Sequence, residues 1–256
     1  MNRCLGFACG LTALAFSDVA RAQAPYTWAG FYVGGHFGYG FGQSTQPALG
    51  FSDPVGAGIG TFYEAGGISI GSYPNKGVLG GLQAGYNHQL GKWVFGFEAD
   101  WSATAINGAR SALATPDPAT FGGTNSVSTI KQSLDWLSTA RARVGVNDNN
   151  WLFYGTGGLA LGRVSNSLDV FVNTPIPYTI AFNGANGTTQ LGWTAGVGTE
   201  YAIGRFSIKA EYLYYDLGAN RLYAPTADTL IIPGGVLTLD QRTSGHIVRG
   251  GINFHF

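Results

Sequence analysis

The chain has 256 residues, no formal net charge, only 11% charged residues, 14% aromatics and 41 glycines. Soluble domains usually carry about a quarter charged residues, and a neutral chain offers no electrostatic footprint for nucleic acid or an anionic surface. The length suits one large all-β domain, and no apolar run is long enough for a transmembrane helix. A Gly-rich soluble β-protein remains open on composition, so periodicity has to decide.

The first residues read as a targeting segment. Met1-Asn2-Arg3 is a short basic start, Cys4 to Phe16 a compact apolar run, and Ala20-Arg21-Ala22 a small-x-small cleavage site. Ala22-Gln23-Ala24 is a second option. The expected organisation is a cleaved signal peptide over 1–22 and one domain over 23–256. Cys4 and Cys9 are the only cysteines, so the mature chain has no disulfide, thiol nucleophile or Cys-bound metal.

Eight strands follow, each alternating at period two. In the first, 28–41, Phe31, Val33, Phe37, Tyr39 and Phe41 share one face, and Tyr32 and His36 the other. A Gly/Pro/Ser-rich loop over 43–76 leads to the second, 77–90, with Leu82, Ala84 and Tyr86 opposite Gln83, Asn87 and Gln89. After the turn Gly91-Lys92, the third, 93–105, sets Trp93, Phe95, Phe97, Ala99 and Trp101 against Glu98 and Asp100. A loop over 106–130 precedes the fourth, 131–146, with Trp136, Ala140, Ala142 and Val144 against Asp135, Arg141 and Arg143. Asn147 to Asn150 form a tight polar turn. The fifth, 151–163, carries Trp151, Phe153, Leu159 and Leu161 opposite Tyr154 and Thr156. A loop over 165–187, with Pro175 and Pro177, leads to the sixth, 188–203, where Trp193, Ala195, Val197, Tyr201 and Ile203 oppose Gln190, Thr194 and Glu200. Gly204-Arg205 turns into the seventh, 206–218, with Phe206, Ile208, Ala210, Tyr212 and Tyr214 against Lys209 and Glu211. After a loop over 219–243, the last strand places Val248, Gly250, Ile252, Phe254 and Phe256 opposite Ile247, Arg249, Gly251, Asn253 and His255.

Long and short connections alternate strictly. That is the pattern of an eight-stranded antiparallel transmembrane β-barrel with short periplasmic turns and long extracellular loops. Trp93, Trp151 and Phe206 open strands after short turns, and Tyr86 and Tyr201 lie near the same rim, so these five read as an aromatic girdle. A soluble barrel would carry its polar residues outside.

Trp28-Ala29-Gly30-Phe31-Tyr32-Val33-Gly34 and Arg249-Gly250-Gly251-Ile252-Asn253-Phe254-His255-Phe256 resemble the small outer-membrane β-barrel family of Gram-negative surface antigens. The family, common in alpha-proteobacteria, is often labelled porin family or outer-membrane immunogenic protein. Gly80 to Asn87 and Gly96 to Asp100 resemble its second and third strands, and the similarity covers about 26–256. The resemblance implies insertion by the outer-membrane assembly machinery through the terminal aromatic strand, with Phe254 and Phe256 as its signal. It also implies outer-membrane lipids and lipopolysaccharide as surroundings. Members serve as surface antigens, envelope structure, suspected pores or haemin binders, so no single activity follows.

The inward face predicts four acids, Glu98, Asp100, Glu200 and Glu211, and four bases, Arg141, Arg143, Lys209 and Arg249. Asp135 is expected to join them or to lie above the membrane. Eight strands enclose just enough room for side chains, and unpaired charges there are costly, so a paired plug is expected. A narrow or gated ion path is the alternative. None of His36, His88, His246 and His255 has a partner at metal or catalytic spacing, so no cofactor or metal is expected. Ser244 and His246 share an outward face but lack an acidic partner in sequence, and no catalysis is expected. Gly155-Thr156-Gly157-Gly158 lacks the strand-to-helix context of a phosphate loop. Phe51, Phe62, Tyr63 and Tyr73 in the first loop, and Leu230 to Leu237 in the last, either pack together around the tip Pro233-Gly234-Gly235 or form a surface for haemin, a host protein or phage.

Overall fold

The computed structural model describes residues 26–256 apart from 45–47, 53, 55, 57–58, 175–178 and 228–231. The expected signal peptide over 1–22, Pro175, Pro177, Leu230 and Ile231 lie outside the described residues. Eight long antiparallel strands form a ring: β1 (Gly30–Ser44), β3 (Tyr73–Leu90), β4 (Trp93–Ala114), β5 (Asn125–Asp148), β6 (Trp151–Asn173), β7 (Thr179–Ile203), β8 (Phe206–Pro225) and β9 (Val236–His255). Each pairs with the next, and β9 returns to β1 from Tyr32↔His255 to Phe41↔His246, which closes the ring over that stretch. Where β1 departs, the short β2 (Ala48–Ser52) takes its place against β9, from Ala48↔Asp240 to Ser52↔Val236.

The short turns are tight because their residues adopt left-handed backbone: Gly91, Asn149 and Gly204 have φ of 61°, 54° and 62°. Such residues give a two-residue hairpin the twist of its strands.

The strand centres fall where the alternation puts them, but the distal ends do not. β4 runs to Ala114, β5 starts at Asn125, β6 reaches Asn173, β7 starts at Thr179, β8 reaches Pro225 and β9 starts at Val236. The loops expected over 106–130, 165–187 and 219–243 are therefore mostly strand. Their true connections are 115–124, 174–178 and 226–235; a short helix, α2 (Pro118–Phe121), with Asp117 as its N-cap, occupies the first. Strands of 20 to 25 residues far exceed the ~9–11 that cross a bilayer, so the barrel wall continues beyond the membrane. The first long loop folds inward through α1 (Ile59–Phe62) and a single π turn, Tyr63–Gly67.

The outer face is apolar over the membrane-spanning part: Leu82, Phe37, Phe31, Trp93 and Ile252 are each more than half exposed. The inside is filled. Nearest the short turns lie Trp28, Val94, Leu152, Tyr154 and Ala202. Further out come Leu79, Ile106, Leu134, Leu137, Leu213, Leu217 and Ile247. At the distal end, Phe62, Ile68, Ile70, Ile130, Leu168, Val170, Val172, Ile232, Leu237 and Leu239 form a third cluster, with Phe51 and Tyr63 packed against it. The loop hydrophobics thus pack on each other, and Phe62, Ile232 and Leu237 are almost fully buried.

One weak seam of the wall runs between β7 and β8. The β7–β8 ladder runs only from Ile203↔Phe206 to Trp193↔Asp216. Beyond it, side chains span the gap: Asn186 Nδ2 donates to the Arg221 carbonyl at 3.2 Å and Asn220 Nδ2 to Thr188 Oγ1 at 2.6 Å. Backbone contact resumes at the Phe182↔Thr226 bridge. Amides of 185–191 that face β8 are expected to exchange hydrogen on the order of tenfold or more faster than those of 194–203. Uniform protection along β7 in exchange mass spectrometry would contradict the seam.

Candidate functional site

The sequence-predicted charges meet at one level of the lumen. Glu98 and Asp100 come from β4, Arg141 and Arg143 from β5, Glu200 from β7, Lys209 and Glu211 from β8, and Arg249 from β9. Three acid–base couples stand directly across from each other in the ladders, Glu98↔Arg141, Glu200↔Lys209 and Glu211↔Arg249, the first and third in ionic contact. Opposite charges facing each other on one sheet surface stabilise the register itself.

Glu98 is the hub. It lies 2.5 Å from Arg141, 2.7 Å from Lys209, 3.6 Å from Arg249 and 3.7 Å from Arg143, so it touches all four cations. Glu211 meets Arg249 at 2.6 Å, Arg141 at 3.1 Å and Lys209 at 3.4 Å. Asp100 meets Arg141 at 2.9 Å and Arg249 at 3.0 Å, and Glu200 meets Arg143 at 3.3 Å. All eight are buried.

Neutral groups complete the carboxylates' hydrogen bonds. Tyr32 donates its hydroxyl to Glu98 at 2.7 Å, Tyr154 to Glu211 at 3.0 Å and Thr139 to Asp100 at 2.7 Å. Asn253 donates to Glu200 at 2.6 Å, and the Ser207 hydroxyl also donates to it. The Arg143 guanidinium lies 4.7 Å from the Tyr32 ring centre and 5.1 Å from that of Tyr154. Inward glycines make room for these rings: a Cβ at Gly85 would overlap Tyr32, and one at Gly198 would overlap Tyr154.

Two further inward features escaped the sequence reading. The apolar layer of Leu137, Leu213 and Ile247 sits one or two inward steps beyond Arg141, Glu211 and Arg249. A neutral belt follows: Asn75 Nδ2 donates to Gln132 at 2.7 Å, Gln132 Nε2 to Thr243 at 3.1 Å, and Gln241 Nε2 to Ser44 at 2.8 Å. Their signal was present, because Ile247, Leu213 and Leu137 occupy the inward phase of strands otherwise read as polar inside.

Asp135 does not join the lumen. A bulge between Leu134 and Trp136 turns it outward, where it accepts hydrogen bonds from Ser133 and Ser165 at 2.8 Å each and lies 3.7 Å from Arg163. The bulge inserts one residue and reverses the phase beyond it.

Trp93, Trp151, Phe206, Tyr86 and Tyr201 all face outward near the short turns, with Trp151 4.8 Å from Tyr201 and Phe31 4.8 Å from Tyr86 between ring centres. Phe254 and Phe256 are on the same face, 5.3 Å apart and with Phe254 5.4 Å from Phe206. Near the opposite rim, Asp216 stands across from Ser244, an acidic neighbour the sequence did not reveal. Arg242 holds that carboxylate, however, and His246 Nδ1 shares a 2.7 Å hydrogen bond with Tyr212, so the three residues do not form a nucleophile–base relay. Among the described residues no cluster of three His, Cys, Asp or Glu is arranged to hold a metal ion.

A closed ring of antiparallel strands with an apolar outer belt and an aromatic rim defines an integral β-barrel membrane protein. Residues 9–232 match the family model for the outer membrane protein beta-barrel domain, and the chain belongs to this family of Gram-negative outer-membrane proteins. It is 31% identical over 234 residues to the 31 kDa outer-membrane immunogenic protein of Brucella melitensis, covering 90% of this chain and 85% of that one. Similarity to a 22 kDa outer membrane protein of Rhizobium leguminosarum bv. viciae is 27% over 193 residues, 74% of this chain and 64% of the other. Among solved structures, the outer membrane protein OprG of Pseudomonas aeruginosa aligns over 89% of this chain and 96% of its own, with 13% identity and a TM-score of 0.43.

Proposed function

We propose that the protein is a sealed, non-catalytic barrel whose roles are envelope structure and display of its distal surface, as an antigen would be displayed. One observation carries this: an ionic layer with four acids and four bases lies between two apolar layers, and a third apolar cluster fills the distal end. An ion crossing this interior would have to separate paired charges and then shed its water beside leucines. A conducting filter needs binding weak enough to release the ion and space to move it. Matched signs and filled layers favour closure instead.

A small or gated channel is the competing reading, and a haemin-type receptor the third. The receptor reading is weakened by the loop hydrophobics, which form the distal core rather than a bare surface. Single-channel recording of the refolded mature chain in a planar bilayer tests the proposal, with heat-dependent gel mobility reporting the fold. No current steps are expected from folded protein. Reproducible steps of uniform size would make the protein a channel.

A further inference from the structure

The outer wall changes character just beyond the lipid-facing belt. On β5, outward Val144, Ala142, Ala140 and Trp136 give way to Ser133 and Lys131, and on β6, Leu159 and Leu161 give way to Arg163, Ser165 and Ser167. With Asn107 of β4, these polar residues line a shallow cavity of about 710 Å³ on the wall. Asn107, Ser133 and Ser165 stand in one row of the ladder, and Lys131 faces Ser167 in the next. Lys131 and Arg163 thus mark opposite ends, four residues apart along β6, or roughly 13 Å at ~3.3 Å per residue.

Charge is uneven around this collar. Lys76 stands beside Asn107, so three cations, Lys76, Lys131 and Arg163, meet two acids, Asp135 and, one outward step past Ser167, Asp169. On the β8–β9 side the charges cancel in tight pairs. Arg221 grips both oxygens of Asp240 at 2.6 Å and holds its carboxyl below the usual carboxylate range, while Arg242 binds Asp216. Among the described residues Arg163 has one ion pair, the 3.7 Å contact with Asp135, and it is half exposed. Its planar fork can therefore take a phosphate or carboxylate in two parallel hydrogen bonds.

We propose that this groove is the docking site for the headgroup of an outer-leaflet glycolipid bearing anionic groups at two separated points. One anionic group sits on Arg163 and the other on Lys131. Asn107, Ser167 and the hydroxyl oxygens of Ser133 and Ser165, whose protons go to Asp135, meet the sugar hydroxyls, and the acyl chains lie on Trp101 and Leu161 below, beside Trp136 in the Arg163 row. A glycerophospholipid with a single phosphate does not span the two ends. The proposal is independent of whether the lumen conducts.

The test uses the refolded mature chain in detergent, titrated with purified lipopolysaccharide. Readouts are co-elution on gel filtration and the rise in temperature at which the compact gel form is lost. Lys131→Gln/Arg163→Gln is expected to weaken apparent binding at least tenfold, since hydrogen bonds to charged groups are the strong ones. Arg221→Gln is expected to bind as wild type does. The compact form without lipid, and each single variant, separate lost binding from lost folding. Undiminished binding by the double variant overturns the site. So does an equal thermal shift from phosphatidylglycerol or inorganic phosphate, which would mark a general anion effect.

Discussion

Glu98→Gln is expected to destabilise the barrel by about 3–5 kcal/mol, the cost of leaving buried charges without a partner. The side chain keeps its shape, so no cavity contributes; the loss reports the missing charge together with one amide NH2 that faces donors where the carboxylate oxygen accepted. Four cations share this carboxylate, and its removal leaves three acids facing four bases among buried side chains. A companion cycle isolates the pairing. Arg249→Met or Glu211→Leu alone removes one member of a 2.6 Å pair and unbalances the layer. The double variant leaves three acids and three bases, so it is expected to melt above either single variant. Heat-dependent gel mobility in one detergent reads all four proteins. Additive losses would mean that Arg249 and Glu211 act as independent polar groups, and the ionic layer would then have no role as a unit.

How much of this was legible follows from which signals depend on the membrane. Over the bilayer, the apolar face must point outward, so Phe95, Phe97, Trp101, Leu159 and Leu161 mark their phase plainly, and the opposite phase yields the eight lumen charges. Beyond the bilayer the requirement inverts. On β6 the outward residues become Arg163, Ser165, Ser167 and Asp169, while Val164, Leu168, Val170 and Val172 turn inward. Apolar-out alternation ends at this inversion, and on that signal alone 165–187 is loop. Bulges add a second error that no periodicity shows. The irregularities at Leu134/Trp136 on β5 and Asp216/Ala219 on β8 each reset the phase, and the first alone accounts for Asp135, while β4 keeps its phase beside it. The inward docking of the first long loop was illegible for a third reason. Its hydrophobics, Phe62, Ile68 and Ile70, are spaced for no regular element and acquire meaning only against Leu168, Leu237 and Leu239 from distant strands.

Trp28→Ala is expected to cost about 3–5 kcal/mol, as truncation of a large buried ring does, and yet to leave the bilayer silent. Trp28 precedes β1 and closes the proximal end of the lumen. Its backbone N–H donates to Gln89 at 2.8 Å, and its ring lies edge-on to Tyr26 at 4.9 Å and to His255 at 5.8 Å. Removing the indole opens a void at that mouth but leaves the ionic layer and the Leu137–Leu213–Ile247 layer in series above it. Stability and closure are thus expected to separate. A chain lacking residues 1–22 contains no cysteine, so one introduced thiol is unique in it. Leu152→Cys, buried against Trp28, should resist a polar maleimide in the parent and react once Trp28 is alanine, whereas Leu213→Cys should resist in both. Current through Trp28→Ala would make this ring the sole seal. Labelling of Leu213→Cys would show the upper layers to be open to water, and the series argument would fail with it.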